Sequence, residues 1–397
     1  MPRRRVLLMI ETSLVYGREA LRGINRYVVE HEPWSVYLDQ RELTAAPPEW
    51  FSRWDGDGVI SRWTNTDLAR TLDRRQIPAV DLTDIYGGFG LPHVWANHAA
   101  VSELAARHLI ERGFHHFAFC GFDHQDWSER RQAGFVASLP IPRAQVAIYN
   151  SDWDSTRGPT WDQQQAALGA WLQALPKPVG VMACNDMRGL QVLDACRRCN
   201  LAVPEEVAVI GVDNDELLCQ LADPPLSSVV PNPLRVGYEA AALLDTLMRG
   251  EIPASTEIIV DPVGVVTRQS TDVLAIPDPQ VAAAVRYIRE HACDGIAVAD
   301  VLRHVNATRS VLERSFRRYL NRSPQNEIRG VQLKRVKQLL AETDLALPQI
   351  AERAGFEHPE YLSVVFKRET GQTPGQYRKQ TSAFPAEKGK GRRTAGR

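Results

Sequence analysis

Over residues 1–275, short apolar runs of strand length alternate with longer stretches whose apolar positions return every three or four residues. The strand-length runs are "RVLLMI" (5–10), "DGVI" (57–60), "IPAVDL" (77–82), "HFAFCG" (116–121), "QVAIYN" (145–150), "VGVMA" (179–183) and "VAVIGVD" (207–213), several of them rich in Val and Ile. Segments such as "GREALRGINRYVVEH" (17–31) and "ANHAAVSELAARHLIERG" (96–113) carry the helical spacing between them. This alternation predicts parallel sheets covered by helices on both faces, with ligands outside the carboxyl ends of the strands. The segment has room for two such lobes.

Near the C-terminus the pattern is one of short helices. In "LPQIAERAG" (347–355), Ile350, Ala351 and Ala354 share a face, and Gly355 supplies a stop compatible with the left-handed conformation. "HPEYLSVVFKR" (358–368) restarts at once with Pro359 in the first turn, burying Leu362, Val365 and Phe366 and leaving Glu360, Ser363 and Lys367 on another side. Two short helices at a glycine corner are a helix-turn-helix, whose second helix enters the major groove. The unit has a partner. Leu312, Phe316, Arg318 and Ser323-Pro324 recur 50 positions later as Leu362, Phe366, Arg368 and Thr373-Pro374. In each copy the Ser or Thr is an N-cap and the Pro a first-turn residue, so another helix follows. The connecting "PQNEIRGVQLKRVKQLLAE" (324–342) keeps Ile328, Val331, Val336 and Leu339 on one stripe. The first unit departs from the second in having Val305 where Gly355 stands.

Composition and charge sharpen this division. A chain of 397 residues predicts two or three domains. Its net charge of −1 conceals an acidic body and a basic end: residues 276–397 hold 22 basic and 13 acidic side chains, net +9, and residues 1–275 hold 25 and 35, net −10. That asymmetry points to a C-terminal module facing nucleic acid. In "MPRRRVLLMIE" the apolar core, residues 6–10, is too short for a signal peptide, so a cytosolic location is expected, and no run is long enough to span a bilayer. The six cysteines are scattered. Cys196 and Cys199 form a lone C-x-x-C with no second pair or nearby histidine, and read as ordinary helix residues. The tail "AEKGKGRRTAGR" (386–397) lacks apolar periodicity and is expected to be disordered, adding nonspecific DNA affinity.

The ordered blocks "DGVI", "ANHAAVSELAARHLIERGFHHFAFCG", "RQAGF" (131–135), "CNDMRGLQVLDAC" (184–196), "PEEVAVIGVDNDEL" (204–217), "PPLSSVVPNPLRVGYEAAALLDTLMRGE" (224–251) and "VVTRQST" (265–271) resemble the LacI/GalR-type sugar-sensing module. The resemblance implies an α/β, two-lobed, periplasmic-binding-protein-like sensor, with Rossmann-like lobes hinged around a small-molecule cleft. LacI-type repressors carry their helix-turn-helix before the sensor, whereas here the first strand begins at about Arg5, so the reader lies elsewhere. Residues 278–380, above all "GFEHPEYLSVVFKRETGQTPGQYR" (355–378), resemble the AraC-type DNA-binding domain, an all-α domain with two helix-turn-helix units. The expected domains are a sensor over 1–275, a reader over 276–380 and a tail over 381–397. The order of modules, and "YIREHACDGIAVADVL" (287–302) at the junction, resemble the regulators of xylose operons. What that implies is a sugar-responsive transcription regulator, an activator of pentose (D-xylose) catabolic genes. Its implied partners are double-stranded promoter DNA, a sugar effector, a second copy in a homodimer, and RNA polymerase. No cofactor or metal is called for. A regulator of another sugar and a sugar-processing enzyme are the alternatives, the second disfavoured because P-loop, nucleophile-elbow and H-E-x-x-H motifs are absent.

A sugar offers adjacent hydroxyls and an apolar ring face, so its site combines forked polar groups with aromatic cover. Four positions match the sensor family's ligand motifs: Arg131 in "RQAGF", Asp213 in "GVDND" (211–215), Asp186 in "CNDMRG" (184–189) and Asn97 in "ANHAA" (96–100). Arg131 and Asp213 instead form an inter-lobe ion pair in the alternative reading, and Asp186 caps its helix. Tyr16 and Trp127 are aromatic candidates, with a hinge or core role as the alternative, and Arg18 reads as a solvated helix-start residue. On the DNA side Arg309, Ser310, Glu313 and Arg314 open the first recognition helix, and His358, Glu360, Ser363 and Val364 the second. Arginine pairs with guanine and glutamate accepts from cytosine. Arg317, Arg318, Lys367 and Arg368 lie further along, toward phosphate.

Overall fold

A computed structural model describes residues 3–39, 49–62, 64–83, 89–153, 159–272, 278–320, 322–343 and 345–381. The chain divides into two compact units, Met1–Ala275 and Ile276–Arg397. The tail beyond residue 381 lies outside the described residues.

The first unit contains two six-stranded sheets. The first lobe runs through β1 (Arg5–Met9), α1 (Val15–Glu30), β2 (Ser35–Asp39), β3 (Gly58–Ser61), α2 (Thr66–Arg74), β4 (Ala79–Asp81) and β5 (His93–Ala96). The chain then crosses over. The second lobe holds α3 (His98–Ile110), β6 (His116–Asp123), α4 (Asp126–Ser138), β7 (Ala147–Asp152), α5 (Trp161–Ala174), β8 (Val179–Ala183), α6 (Asp186–Arg198), β9 (Val207–Val212), α7 (Glu216–Leu221) and β10 (Ser227–Val230). It crosses back for α8 (Pro233–Met248) and β11 (Glu257–Val260), then returns with β12 (Gly264–Val266). Strand orders are β11-β5-β4-β3-β1-β2 and β12-β10-β9-β8-β6-β7. All pairings are parallel except β10 with β12, an antiparallel edge that the helix-strand alternation does not foretell.

β1 shows why the apolar runs are continuous. Val6, Leu8 and Ile10 pack with Ile24, Val236 and Leu244 on one face, and Leu7 and Met9 with Phe51, Leu68 and Leu72 on the other. A strand covered on both faces has no polar side to alternate with. Three crossings join the lobes and are stitched to one another. Asn97 N donates to Val260 O at 2.8 Å, Asn97 Nδ2 to Asp261 Oδ1 at 2.8 Å, and Val263 N to Val230 O at 2.9 Å.

Where the chain leaves the second lobe it is tied down by a buried cluster. Ser270 Oγ donates to Val209 O at 2.6 Å and accepts from Ser227 N at 2.8 Å, while Thr271 Oγ1 donates to Ser227 Oγ at 2.7 Å. From α3, His108 Nε2 meets Thr271 Oγ1 at 2.7 Å and Arg112 Nε donates to Thr271 O at 2.7 Å. Burial, then the adjacent Arg112 guanidinium, pushes the His108 pKa down to about 3, so the ring is neutral.

The second unit is helical throughout its described residues: α9 (Pro279–His291), α10 (Val298–His304), α11 (Arg309–Leu320), α12 (Pro324–Glu342), α13 (Leu347–Arg353), α14 (Pro359–Thr370) and α15 (Pro374–Thr381). α10–α11 and α13–α14 are the two helix-turn-helix units. Leu312 and Phe316 in the first, and Leu362, Val365 and Phe366 in the second, are buried. Ser323 caps α12 by accepting from Asn326 N at 3.2 Å, and Thr373 accepts from Gln376 N at 3.2 Å before α15. Along α12, Ile328, Val336 and Leu339 are buried and Val331 is half-buried.

Gly355 has φ +70°, and a Cβ there would lie 2.7 Å from Ala292 O, so both conformation and space require glycine. The alignment of Val305 with Gly355 is corrected by the backbone. The left-handed residue of the first unit is Asn306, φ +48°, with Val305 ending its helix as Ala354 does in the second. Asparagine tolerates this conformation better than β-branched valine. The offset between units is therefore 49 up to the turn, as the buried pair Val301 and Ile350 also shows, and 50 after it. The first turn is one residue shorter.

Candidate effector cleft and DNA-reading helices

A cavity of about 690 Å³ opens between the lobes of the first unit. From the first lobe it is lined by residues 13–16 and Arg18 after β1, Arg62 after β3 and Thr83 after β4. The second lobe contributes residues 124–127 and Arg131 after β6, Trp153 after β7, residues 185–187 after β8, and Asp213 and Asp215 after β9. Every contributing strand presents its carboxyl end, where parallel strands leave a crevice between diverging loops.

Arg131 is buried in α4 and held from three sides. Its Nη1 donates to Cys184 O at 2.6 Å, Nη2 to Asp213 Oδ1 at 3.3 Å, and Nε to His98 Nδ1 at 3.3 Å. The guanidinium carbon lies 5.2 Å from the centre of the Trp127 ring. The Arg131–Asp213 ion pair therefore exists, but within the second lobe rather than between lobes.

Asp213 sits in a strained turn, with φ +104° followed by Asn214 at +50°. Such geometry persists only where its surroundings enforce it. Here Asp213 N donates to Val229 O at 3.0 Å, Asn214 N to Ser228 Oγ at 3.0 Å, and Arg268 Nη2 to Asn214 Oδ1 at 2.9 Å. Burial raises the Asp213 carboxyl above its ordinary pKa, opposed by Arg131 and then by Arg62 of the first lobe.

Asp186 does not cap α6; Asn185 does, accepting from Arg188 N at 2.9 Å. Asp186 is instead buried on the cavity wall, Oδ1 accepting from Ser228 Oγ at 2.6 Å and Oδ2 from Asp215 N at 2.7 Å. Burial, reinforced by the Asp213 charge, pushes its pKa up to about 8.

The aromatic candidates both reach the cavity. Tyr16 lies buried with the Arg62 guanidinium 4.3 Å from its ring centre. Trp127 packs edge-on against Trp153, 5.9 Å between centroids. Arg18 is exposed near the start of α1, as its solvated helix-start reading has it, and it also lines the cavity. It donates to Thr12 O and Ser13 O at 2.8 and 2.9 Å and pairs with Asp215 across the cleft at 3.7 Å.

Asn97 is corrected. Its Oδ1 accepts from Ala100 N at 3.1 Å and its Nδ2 is bonded to Asp261, so both amide ends are used in capping α3 and stitching the crossings, outside the cavity lining. Sequence reasoning missed Arg62, Trp153 and Asp215. Arg62 and Trp153 directly follow strand ends, and that position is the signal that finds them.

In the second unit, considered by itself, Arg309, Ser310 and Arg314 are exposed on α11. Glu313 is half-buried and paired with Arg309 at 3.0 Å. Glu360, Val364 and Lys367 are exposed on α14, as is His358 at its N-cap, while Ser363 is half-buried with its hydroxyl donating to Pro359 O at 3.0 Å. Gln332 in α12 was missed. Its buried Nε2 donates to Ala292 O and Gly355 O at 3.0 and 2.9 Å, bracing the second turn from behind.

A two-lobed sensor with a polar and aromatic cleft, followed by a tandem helix-turn-helix, is the architecture of a ligand-sensing DNA-binding transcription regulator. Families described as the XylR N-terminal domain, a periplasmic binding protein-like domain and a helix-turn-helix domain match residues 5–90, 106–271 and 301–380. The xylose operon regulatory protein of Haemophilus influenzae is 32% identical over 94% of this chain and 98% of that protein. Its counterpart in Escherichia coli K12 is 31% identical over 95% and 97%. The chain belongs to the xylose operon regulatory protein family. A solved structure of the xylose-binding transcription activator XylR superposes with TM-score 0.81 at 30% identity, covering 96% of this chain and 99% of that one. A CelR–cellobiose complex, at 22% identity and TM-score 0.54 over 68% of this chain and 86% of its own, shares the fold.

Proposed function

We propose that the chain is a cytoplasmic activator of pentose catabolic genes, binding D-xylose between the lobes of residues 1–275 and promoter DNA through residues 276–380. The observation that carries the reading is the convergence of Arg131, Asp213, Tyr16, Trp127 and Trp153 on one cavity, in a chain ending in two helix-turn-helix units. Arg131 supplies a donor fork, Asp213 an acceptor for paired hydroxyls, and the rings supply apolar cover. The relatives described as xylose-binding or as xylose operon regulators support this sugar over others.

Arg62 and Tyr16 come from the first lobe, and Arg131, Asp213 and Trp127 from the second. A ligand touching both favours the closed arrangement by its differential affinity for it. In a homodimer, closure would reset the spacing of two readers and present them for contact with RNA polymerase. The reading requires no cofactor and no catalytic step. Calorimetric titration with a panel of pentoses and hexoses, with product analysis on the same samples, tests it. D-xylose is expected to bind tightest and to be recovered unchanged. A tenfold preference for another sugar would replace the effector, and turnover would replace the class.

A further inference from the structure

The two recognition helices present nearly the same exposed positions, related by 50 residues: Ser310 and Glu360, Val311 and Tyr361, Arg314 and Val364, Arg317 and Lys367, Arg318 and Arg368. The last two pairs keep their positive charge, so both helices retain a phosphate-facing end. The middle pair does not match. Arg314 is an exposed guanidinium, whereas Val364 is an apolar side chain 64% exposed. Beside it, three residues back on the same helix face, Tyr361 is 52% exposed. Its ring is held in place from behind. Tyr361 Oη accepts from Arg329 Nη2 at 3.0 Å, and the Arg329 guanidinium carbon lies 5.0 Å from the Tyr361 ring centre and 5.1 Å from that of Phe356.

An apolar patch flanked by Lys367 and Arg368 suits a polyanion with an apolar feature on its floor. In the major groove that feature is the thymine C5 methyl, while guanine O6 and N7 suit a guanidinium. We propose, on the reading of the chain as a promoter-binding regulator, that the position shared by Arg314 and Val364 gives the two units opposite base preferences. Guanine is read under the first unit, and thymine, through its methyl group, under the second.

The test uses the full-length protein with D-xylose and duplexes it selects from a randomised library. Each thymine of the selected site is then replaced in turn by uracil, which keeps the base pair and removes only the methyl. The expected result is about a fourfold loss of affinity for each methyl covered, confined to one helical patch. That loss should disappear in Val364→Ala. Val364→Arg should select guanine in the same patch by roughly tenfold, and Arg314→Val should lose guanine in the other. Both sites are exposed, so unchanged circular dichroism and melting would show that the variants fold. Uracil scanning that leaves affinity unchanged everywhere, or a guanine preference shared by both patches, overturns the inference while leaving the regulator intact. A chain that selects no sequence at all overturns the regulator reading and the inference with it.

Discussion

Replacing Arg131 with methionine keeps the apolar stem against Trp127 and deletes the fork. Three acceptors are stranded, the Cys184 carbonyl, His98 Nδ1 and the Asp213 carboxylate. An orphaned buried acceptor costs about 1–3 kcal/mol, and a broken buried ion pair about 3–5 kcal/mol. The second figure is an upper bound here. The Asp213 side chain is 21% exposed, so solvent screens part of the charge that Arg131 leaves behind. A net cost of about 2–4 kcal/mol in sensor stability follows from these two terms, read as a lower urea midpoint at unchanged slope. Sugar affinity should fall at least tenfold by calorimetry, because the donor fork is lost as well. Adding Asp213→Asn removes the charge that methionine leaves behind, so the double variant should regain about 1–2 kcal/mol of stability, the coupling expected of contacting residues. It should still fail to bind sugar. An Arg131→Met sensor with an unchanged urea midpoint and unchanged affinity would refute both the pairing and the cleft assignment.

Asp186 gives a pH signature of known sign. Its folded pKa, about 8, lies above its ordinary value, so its neutral form favours the fold. Stability relative to Asp186→Asn should therefore fall as pH rises from about 4 to 8 and level off above; melting curves for the two proteins that run parallel across this range would contradict the burial argument. Gly355→Ala should destabilise the second unit by at least about 1–2 kcal/mol, from the left-handed backbone and the Ala292 O contact, whereas Asn306→Gly should be tolerated; denaturant titrations compare the two. Lys367→Ala should weaken all DNA sequences alike and lower the salt slope of binding by about one unit, measured by titration at several salt concentrations.

The body of this fold was open to reading because a strand buried on both faces is apolar without interruption, as β1 and β9 are. The edges were not. β2 has three exposed residues at its centre and β12 is short and half-exposed, so neither stands out as an apolar run. Within the cleft, Arg131 and Asp213 were legible from family motifs, but motifs carry no information on which lobe supplies a partner. Hence the alternative reading of Arg131 and Asp213 as an inter-lobe pair fails, and the pair that does bridge the cleft is Arg18–Asp215. Asn97 shows the same limit from the other side, since an asparagine before a helix satisfies a ligand motif and a cap motif equally well. Val305 was aligned with Gly355 by counting from the second helices, and a turn one residue shorter is invisible to such counting.

The buried cluster at Ser270 and Thr271 has a practical consequence for exchanging parts between regulators. Those residues supply bonds to Val209, Ser227, His108 and Arg112, so they belong to the sensor's core as much as β9 does. A foreign reader spliced on just after β12, where the last strand ends at Val266, would strip the cluster and leave His108 Nε2 and Arg112 Nε without their Thr271 partners. A splice beyond Asp272 keeps every one of these bonds. The seam along which the two halves can be recombined is thus set by hydrogen bonding, several residues past the point where the sheet stops.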